Sequence, residues 1–299
     1  MRTGGTGVDR SGFELRTSGR TARSKGDAAP SRDDLTATLI TAPYRYVRTR
    51  HQAVAVATPA SRTRVVVTES NLRGYRGLSL DAFGSLLEGG PAETPPSLDR
   101  IVRDHGVALE SDGLSRLWLD TIRRHRESMP FRAYREIHRR AFREIFAHLG
   151  ISEPVDDLID ETFEGYRRAK AFPEVPGIVG ELEHDVAIAV VSNMDTKLLL
   201  EALQNNGLAF TFVVTSEEEQ RYKPAASLFR RAVRYLGLPP EHVLHVGDSY
   251  EEDIVGAVSA GMGAIQIRRA GARADPPSEI TVVNELRGVR DVIRRSWGA

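Results

Sequence analysis

Hydrophobic and polar positions change their period twice along this chain. From position 175 onward, short apolar runs alternate with stretches of helical spacing. The pattern predicts strands over 186–191, 210–215, 242–246 and 264–267. It predicts helices over 197–205, 226–236 and 252–260 between and after them. Alternation of this kind implies a parallel sheet with helices on both faces. An earlier apolar run, Leu78-Ser79-Leu80, predicts one more strand. A loop with Gly89, Gly90, Pro91, Pro95 and Pro96 follows it, and then a different pattern begins. From about 97 to 170 there is no strand signal. Leu114, Leu117, Trp118 and Ile122 fall near helical spacing, as do Tyr134, Ile137, Ala141, Phe142, Ile145 and Leu149, with Gly150 as the stop. The expectation is an α/β fold whose first strand is separated from the others by an all-helical insertion.

Composition narrows the function classes. The 299 residues suffice for one large domain or two modest ones, with 40% hydrophobic and 27% charged residues. No apolar stretch approaches the roughly 20 residues of a membrane span. The absence of cysteine excludes disulfides, thiolate metal sites and cysteine nucleophiles. Net charge is zero but uneven: residues 1–75 hold 13 Lys and Arg against 6 Asp and Glu, whereas the remaining 224 hold 28 against 35. Residues 1–34 have hardly any apolar positions, so 1–75 is read as a disordered basic extension. Within it, runs at 54–56 and 65–67 are compatible with a strand or two, or with no fixed structure. The positive start is not followed by an apolar segment, so no signal peptide is expected. A working start near 65–76 is also expected. The basic head alone carries no nucleic-acid-binding motif.

The chemistry sits where the apolar runs stop. The first run ends at Asp81, followed by the turn Gly84-Ser85. The next ends at Ser192-Asn193, the third leads through Ser216 to Lys223-Pro224, and the fourth ends at Gly247-Asp248 with Asp253 beyond. Ligands of open α/β sheets bind at the carboxyl ends of the strands, so four such ends suggest one assembled site. Asp81 is of a type that forms covalent intermediates. Ser85 and Ser192 offer hydroxyls to an oxyanion, and Lys223 offers a positive charge. Asp81, Asp248 and Asp253 could supply carboxylates to Mg²⁺, which takes one or two together with water and phosphate oxygens. Plainer readings stand beside these. Ser192, Asn193 and Asp195 could cap the next helix, Ser249 with Glu252 fits a capping box, and Lys223 could be a solvated loop residue.

Together these motifs resemble the haloacid dehalogenase-like (HAD) hydrolase superfamily over about 77–267. Asp81 with Gly84-Ser85-Leu86 matches its first motif, Ser192-Asn193 the second, Lys223-Pro224 the third, and Gly247-Asp248 with Asp253 the fourth. The resemblance implies a Rossmann-like core over 76–87 and 173–299 and a mobile helical cap over 88–172. The segment 172–177 would return the cap to the core. It further implies Asp81 as nucleophile, with Ser192 and Lys223 as catalytic partners. Ser85, Ser192, Asn193 and Lys223 would bind phosphate. Mg²⁺ would be held by Asp81, the Phe83 backbone carbonyl and Asp248, with Asp253 supporting. The expected protein is a cytoplasmic monomer or homodimer acting on a small, anionic substrate, without membrane or nucleic-acid partners.

One position departs from the pattern. Family phosphatases carry a second aspartate two residues after the nucleophile, as acid and base; here Phe83 occupies it. A phenyl ring transfers no proton, and such help is worth roughly 10²–10⁴-fold. Phe83 resembles the 2-haloacid dehalogenases, whose halide leaves without a proton. Asp248 and Asp253 resemble the metal-dependent phosphatases. Three functions stay open: a Mg²⁺-dependent phosphohydrolase working through an aspartyl-phosphate, a 2-haloacid dehalogenase, and a non-catalytic binding protein. In the insertion, eight arginines lie between 123 and 143. Most are expected to solvate outer helix faces, with one or two turned toward the site. Arg132 and Tyr134 are candidates for that role, and Trp118 is expected in the core.

Overall fold

The structure, a computed structural model, describes residues 44–49, 52–57, 74–90, 93–109, 112–269 and 280–298. The chain divides into two units, 1–62 and 63–299. In the first, strands β1 (Tyr44–Thr49) and β2 (Gln52–Ala57) pair antiparallel. β2 contains the apolar run at 54–56. The run at 65–67 and the expected disorder of 1–34 lie outside the described residues.

The second unit opens with β3 (Gly77–Leu80), all four residues of which are buried. Four helices follow before any other strand: α1 (Pro96–Asp104), α2 (Gly113–Glu127), α3 (Tyr134–Leu149) and α4 (Asp156–Arg167). The chain then alternates: α5 (Val175–Asp185), β4 (Ala187–Ser192), α6 (Thr196–Gln204), β5 (Phe212–Thr215), α7 (Ser216–Glu219), α8 (Ala226–Leu236), β6 (Val243–Gly247), α9 (Val255–Ser259) and β7 (Gly263–Ile267). This is the α/β core with an inserted helical region that the pattern predicts. The expected helix over 252–260 differs at its start, because Tyr250–Ile254 form one π-helical turn ahead of α9. Such turns are frequent at functional sites. Two elements lie beyond the predicted ones, β8 (Val282–Val283) and α10 (Leu286–Arg295). The helical spacing of buried Leu286, Val289, Val292 and Ile293 is the signal that finds α10.

The six strands form a wholly parallel sheet in the order β5-β4-β3-β6-β7-β8. Near-continuous apolar runs suit strands covered on both faces. Side chains alternate between faces along each strand. Ala189 and Val191 thus join Leu228, Phe229 and Ala232 of α8, while Ile188 and Val190 join Ile178, Leu199 and Val289 of α5, α6 and α10. β3 is central, with Leu80 opposite both Val190 and Val246. This register sets Asp81 beside the exits of β4 and β6, at the switch point where crossovers diverge.

The inserted helices pack about Trp118, Phe142 and Ile145, all fully buried. Their two connections to the core run side by side: the Glu88 N–H donates to Lys170 O at 2.7 Å and the Phe172 N–H to Leu86 O at 3.1 Å. The Asp195 carboxylate also ties the insertion down, accepting the Tyr134 and Arg135 N–H groups at 2.6 and 3.0 Å. Asp195 therefore serves the first turn of α3, not its own helix α6, to which it gives no side-chain cap.

Candidate active site

Four strand exits deliver the polar groups that the sequence singles out. Lys223 is buried, not solvated, with its Nζ 2.5 Å from Asp81 Oδ1 and 2.6 Å from Asp253 Oδ1. One ligand atom each from Asp81, Asp248 and Asp253 lie within 4.8 Å of one another. Local sequence permits this crowding. Gly84 has φ 87°, and a Cβ there would collide with the Asp248 carboxylate; a Cβ on Gly247 would collide with Asp253.

A buried chain of hydrogen bonds extends below the acids. His245 Nε2 lies 3.3 Å from Asp253 Oδ1 and its Nδ1 3.0 Å from Ser79 Oγ. A carboxylate only accepts, so Nε2 carries the proton and Nδ1 accepts from the serine. Asp253 Oδ2 accepts the Ser249 N–H at 3.0 Å. Both Asp253 oxygens are thereby engaged. By contrast, Asp81 Oδ2 and the Ser85 hydroxyl are buried without a hydrogen bond of ordinary geometry.

Burial dominates the electrostatics. It pushes Asp81 up to about 7, with Lys223 pulling the other way, Asp253 adding to the rise, and nearby Ser85 lowering it slightly. Asp248 is exposed to solvent, yet the protein atoms crowded around it and the charges of Asp81 and Asp253 raise it above the carboxylate range as well. For Asp253, burial is outweighed by Lys223 and His245, and the group is held low. Lys223 loses to burial but gains more from Asp253 and Asp81, so it stays protonated. Two carboxylates are thus poorly compensated by protein groups, and one of the Asp81 oxygens is buried and unsatisfied. The donor set is all oxygen. These features fit a hard divalent cation such as Mg²⁺ at Asp81 and Asp248, with Asp253 supporting.

The remaining candidates fall around this cluster. Ser192 is buried at the end of β4. The Asn193 amide is doubly engaged, its Oδ1 accepting the Lys223 N–H at 2.7 Å and its Nδ2 donating to Glu252 Oε2 at 2.8 Å. Phe83 is buried, and its ring meets Tyr166 of α4 edge-on at 6.0 Å between centroids. Ser249 caps the π turn through the Glu252 N–H at 3.2 Å, but the Glu252 carboxylate does not return to Ser249 and points instead to Arg126 and Asn193.

Of the insertion's arginines, Arg126 turns toward the core. Its Nη2 donates to Glu252 Oε1 at 2.6 Å and to Lys223 O at 3.3 Å, and its guanidinium lies 5.3 Å from the Tyr222 ring. Arg132 instead donates to Ser128 and Pro130 of its own segment, while Tyr134 is fully buried. Sequence reasoning missed Arg126, His245 and Arg269 as individuals and read Glu252 only as a capping residue. Arg269 grips the main chain at Ser85, with Nη2 2.6 Å from Ser85 O, and also pairs with Glu174 at 2.5 Å. Only the four-residue spacing of Trp118, Ile122 and Arg126 hints that Arg126 shares the inward face of α2.

Comparisons with known proteins identify the family. A family profile described as haloacid dehalogenase-like hydrolase matches residues 116–267. The chain belongs to that family. It is 33% identical over 155 residues to a phosphoserine phosphatase of Thermus thermophilus, covering 50% of this chain and 62% of that protein. It is 32% identical over 114 residues to a glyceraldehyde 3-phosphate phosphatase of Methanothermobacter thermautotrophicus, covering 36% of this chain and 50% of that one. The chain therefore spans 50–62% of these two relatives' lengths. Among solved structures, an L-2-haloacid dehalogenase of Xanthobacter autotrophicus superposes with TM-score 0.58 at 19% identity, over 74% of this chain and 98% of that one. A HAD-hydrolase of Bacillus subtilis bound to magnesium superposes with TM-score 0.60 at 19% identity, over 74% and 100%. These two likenesses concern the fold alone. Among the described residues, no helix is long and apolar enough to cross a membrane.

Proposed function

We propose that this HAD hydrolase is a Mg²⁺-dependent phosphohydrolase acting on a small phosphorylated metabolite through an aspartyl-phosphate. The observation that carries the reading is the convergence of Asp81, Asp248 and Asp253 beside buried Lys223, with Asp81 Oδ2 unsatisfied. The phosphatase relatives support the substrate class. In this reading 76–87 and 173–299 form the core and 88–172 a lid over it.

Asp81 attacks phosphorus; an Oδ–P bond forms as the bond to the leaving oxygen breaks. Lys223 neutralises the nucleophile and holds a phosphate oxygen, as do Ser85 and Ser192. Asn193 fixes the Lys223 main chain instead of facing the phosphate. Water then attacks phosphorus, the Oδ–P bond breaks, and Asp81 is regenerated. Mg²⁺ held by Asp81, Asp248 and the Phe83 carbonyl would offset charge on the transferring phosphoryl. With Phe83 in place of an acid, the leaving group draws its proton from substrate or solvent. Turnover therefore favours substrates with good leaving groups.

A specific observation supports a second reading, 2-haloacid dehalogenation: Phe83 is buried and offers no proton donor two residues after Asp81. The deciding experiment compares p-nitrophenyl phosphate hydrolysis, with Mg²⁺ and with EDTA, against chloride release from 2-chloropropionate. Asp81→Asn is the control. Phosphate release that needs Mg²⁺ and vanishes in the variant is expected. Metal-independent chloride release would replace the first reading with the second. Ligand-induced stabilisation without turnover would support the binding protein.

A further inference from the structure

We infer that Arg126 is a positioning residue, through which the seated cap fixes the main chain of the catalytic lysine by way of Glu252; this rests on Lys223 acting as proposed above. Four hydrogen bonds close a ring around Lys223. Its N–H donates to Asn193 Oδ1 at 2.7 Å, and Asn193 Nδ2 donates to Glu252 Oε2 at 2.8 Å. Arg126 Nη2 donates to Glu252 Oε1 at 2.6 Å and to the Lys223 carbonyl at 3.3 Å. Both main-chain polar groups of Lys223 therefore belong to the ring, one held by the exit of β4 and the other by α2 of the cap.

The neighbouring arginines behave differently. Arg124, Arg135, Arg139 and Arg140 pair with Glu144, Asp160, Asp156 and Glu136, all inside the cap. Arg126 crosses to a carboxylate of the core, one residue before Asp253. Its side chain is only 14% exposed, against 31% for Glu252. A charge so buried is costly to leave unpaired, so the pair forms only when the cap is seated. If α2 lifts, two of the four contacts break together. Glu252 is then held by Asn193 alone, and the Lys223 carbonyl loses its donor. The next residue, Pro224, has no N–H to add a further main-chain bond there. The lysine ammonium then no longer has a fixed path to the gap between Asp81 and Asp253. Cap seating and lysine placement are thus one event.

The test uses the full chain with Arg126→Lys, Arg126→Gln, Glu252→Gln and the Gln/Gln double variant. Steady-state kinetics with p-nitrophenyl phosphate and Mg²⁺ are read beside hydrogen exchange of the Lys223 amide. Arg126→Gln should lower kcat about tenfold or more while KM stays within about threefold. Glu252→Gln should behave similarly, and the double variant should be no worse than the poorer single, because both break one ring. Arg126→Lys, which keeps the charge but loses the fork, should recover part of kcat. The Lys223 amide should exchange faster in both single Gln variants. A raised KM with kcat intact would overturn the inference in favour of direct substrate contact. Multiplying effects, or lower thermal stability with unchanged kcat, would also overturn it. If the wild type releases no phosphate, the phosphohydrolase reading fails separately. Amide exchange then decides the ring alone: faster exchange supports it and unchanged protection refutes it.

Discussion

Among the described residues two histidines are fully buried, and their surroundings show how the core and the cap use burial differently. In the core, His245 lies between Ser79 and Asp253, and Lys223 donates to both Asp253 and Asp81. In the cap, His138 is ringed by Trp118, Tyr134, Phe163 and Tyr166. Its Nδ1 donates to Tyr134 O and its Nε2 accepts from the Tyr166 hydroxyl, each at 3.0 Å. Burial drives this ring down to about 3 and keeps it neutral. In the core cluster Asp253 and Lys223 retain their charges because each meets an opposite one; the cap cluster satisfies its polar atoms without any. Chemistry belongs to the first arrangement and shape to the second.

Removing the charge at the centre of the core cluster should have the largest effect. Asp81→Asn is expected to lower turnover at least ~10³-fold with the fold retained, checked by phosphate release beside circular dichroism. Retained turnover would break the contrast outright. Next comes the seam between the regions, where Phe83 of the core meets Tyr166 of the cap. Phe83→Asp should raise alkyl phosphate hydrolysis by up to ~10²-fold, with less gain on aryl phosphates. The lost ring should lower stability by about 3–5 kcal/mol, read by urea unfolding. An equal gain on both substrate types would remove proton transfer as the explanation.

Smaller effects test the cap's attachment and its neutrality. Asp195→Ala leaves the first turn of α3 without its carboxylate and should cost about 1–2 kcal/mol. Limited proteolysis should then cut the cap connections faster than wild type, and an unchanged rate would deny Asp195 that role. The His138 prediction concerns acid. Its native pKa lies below that of the unfolded chain, so the unfolded state binds the extra proton between about 6.5 and about 3. His138 therefore lowers stability as pH falls through that window, by at most about 1.4 kcal/mol per pH unit, and has no effect above it. His138→Gln should flatten the slope below pH 6.5. A slope unchanged in the variant would mean that His138 ionises in place.

Strand exits were legible because parallel sheets place function at the carboxyl ends of apolar runs, so Asp81, Ser192, Lys223 and Asp248 stand out in one dimension. Gly84 was legible as part of a turn. That it makes room for Asp248, 164 positions away, was not. Glu252 differs from its charged neighbours in nothing local, and Arg126 only in its spacing from Trp118 and Ile122. Several arginines share the helix, and two more acidic residues surround Glu252. Only packing α2 against the core selects the pair.

By itself the sequence determined the order of elements, the family and the polar residues that end each strand, because these depend on local period and spacing. Tertiary structure decided which carboxylates keep their charge, which amide serves the lysine backbone and which arginine of α2 reaches the core. Those outcomes depend on burial and on distances between segments far apart in the chain, and neither quantity has a one-dimensional signature.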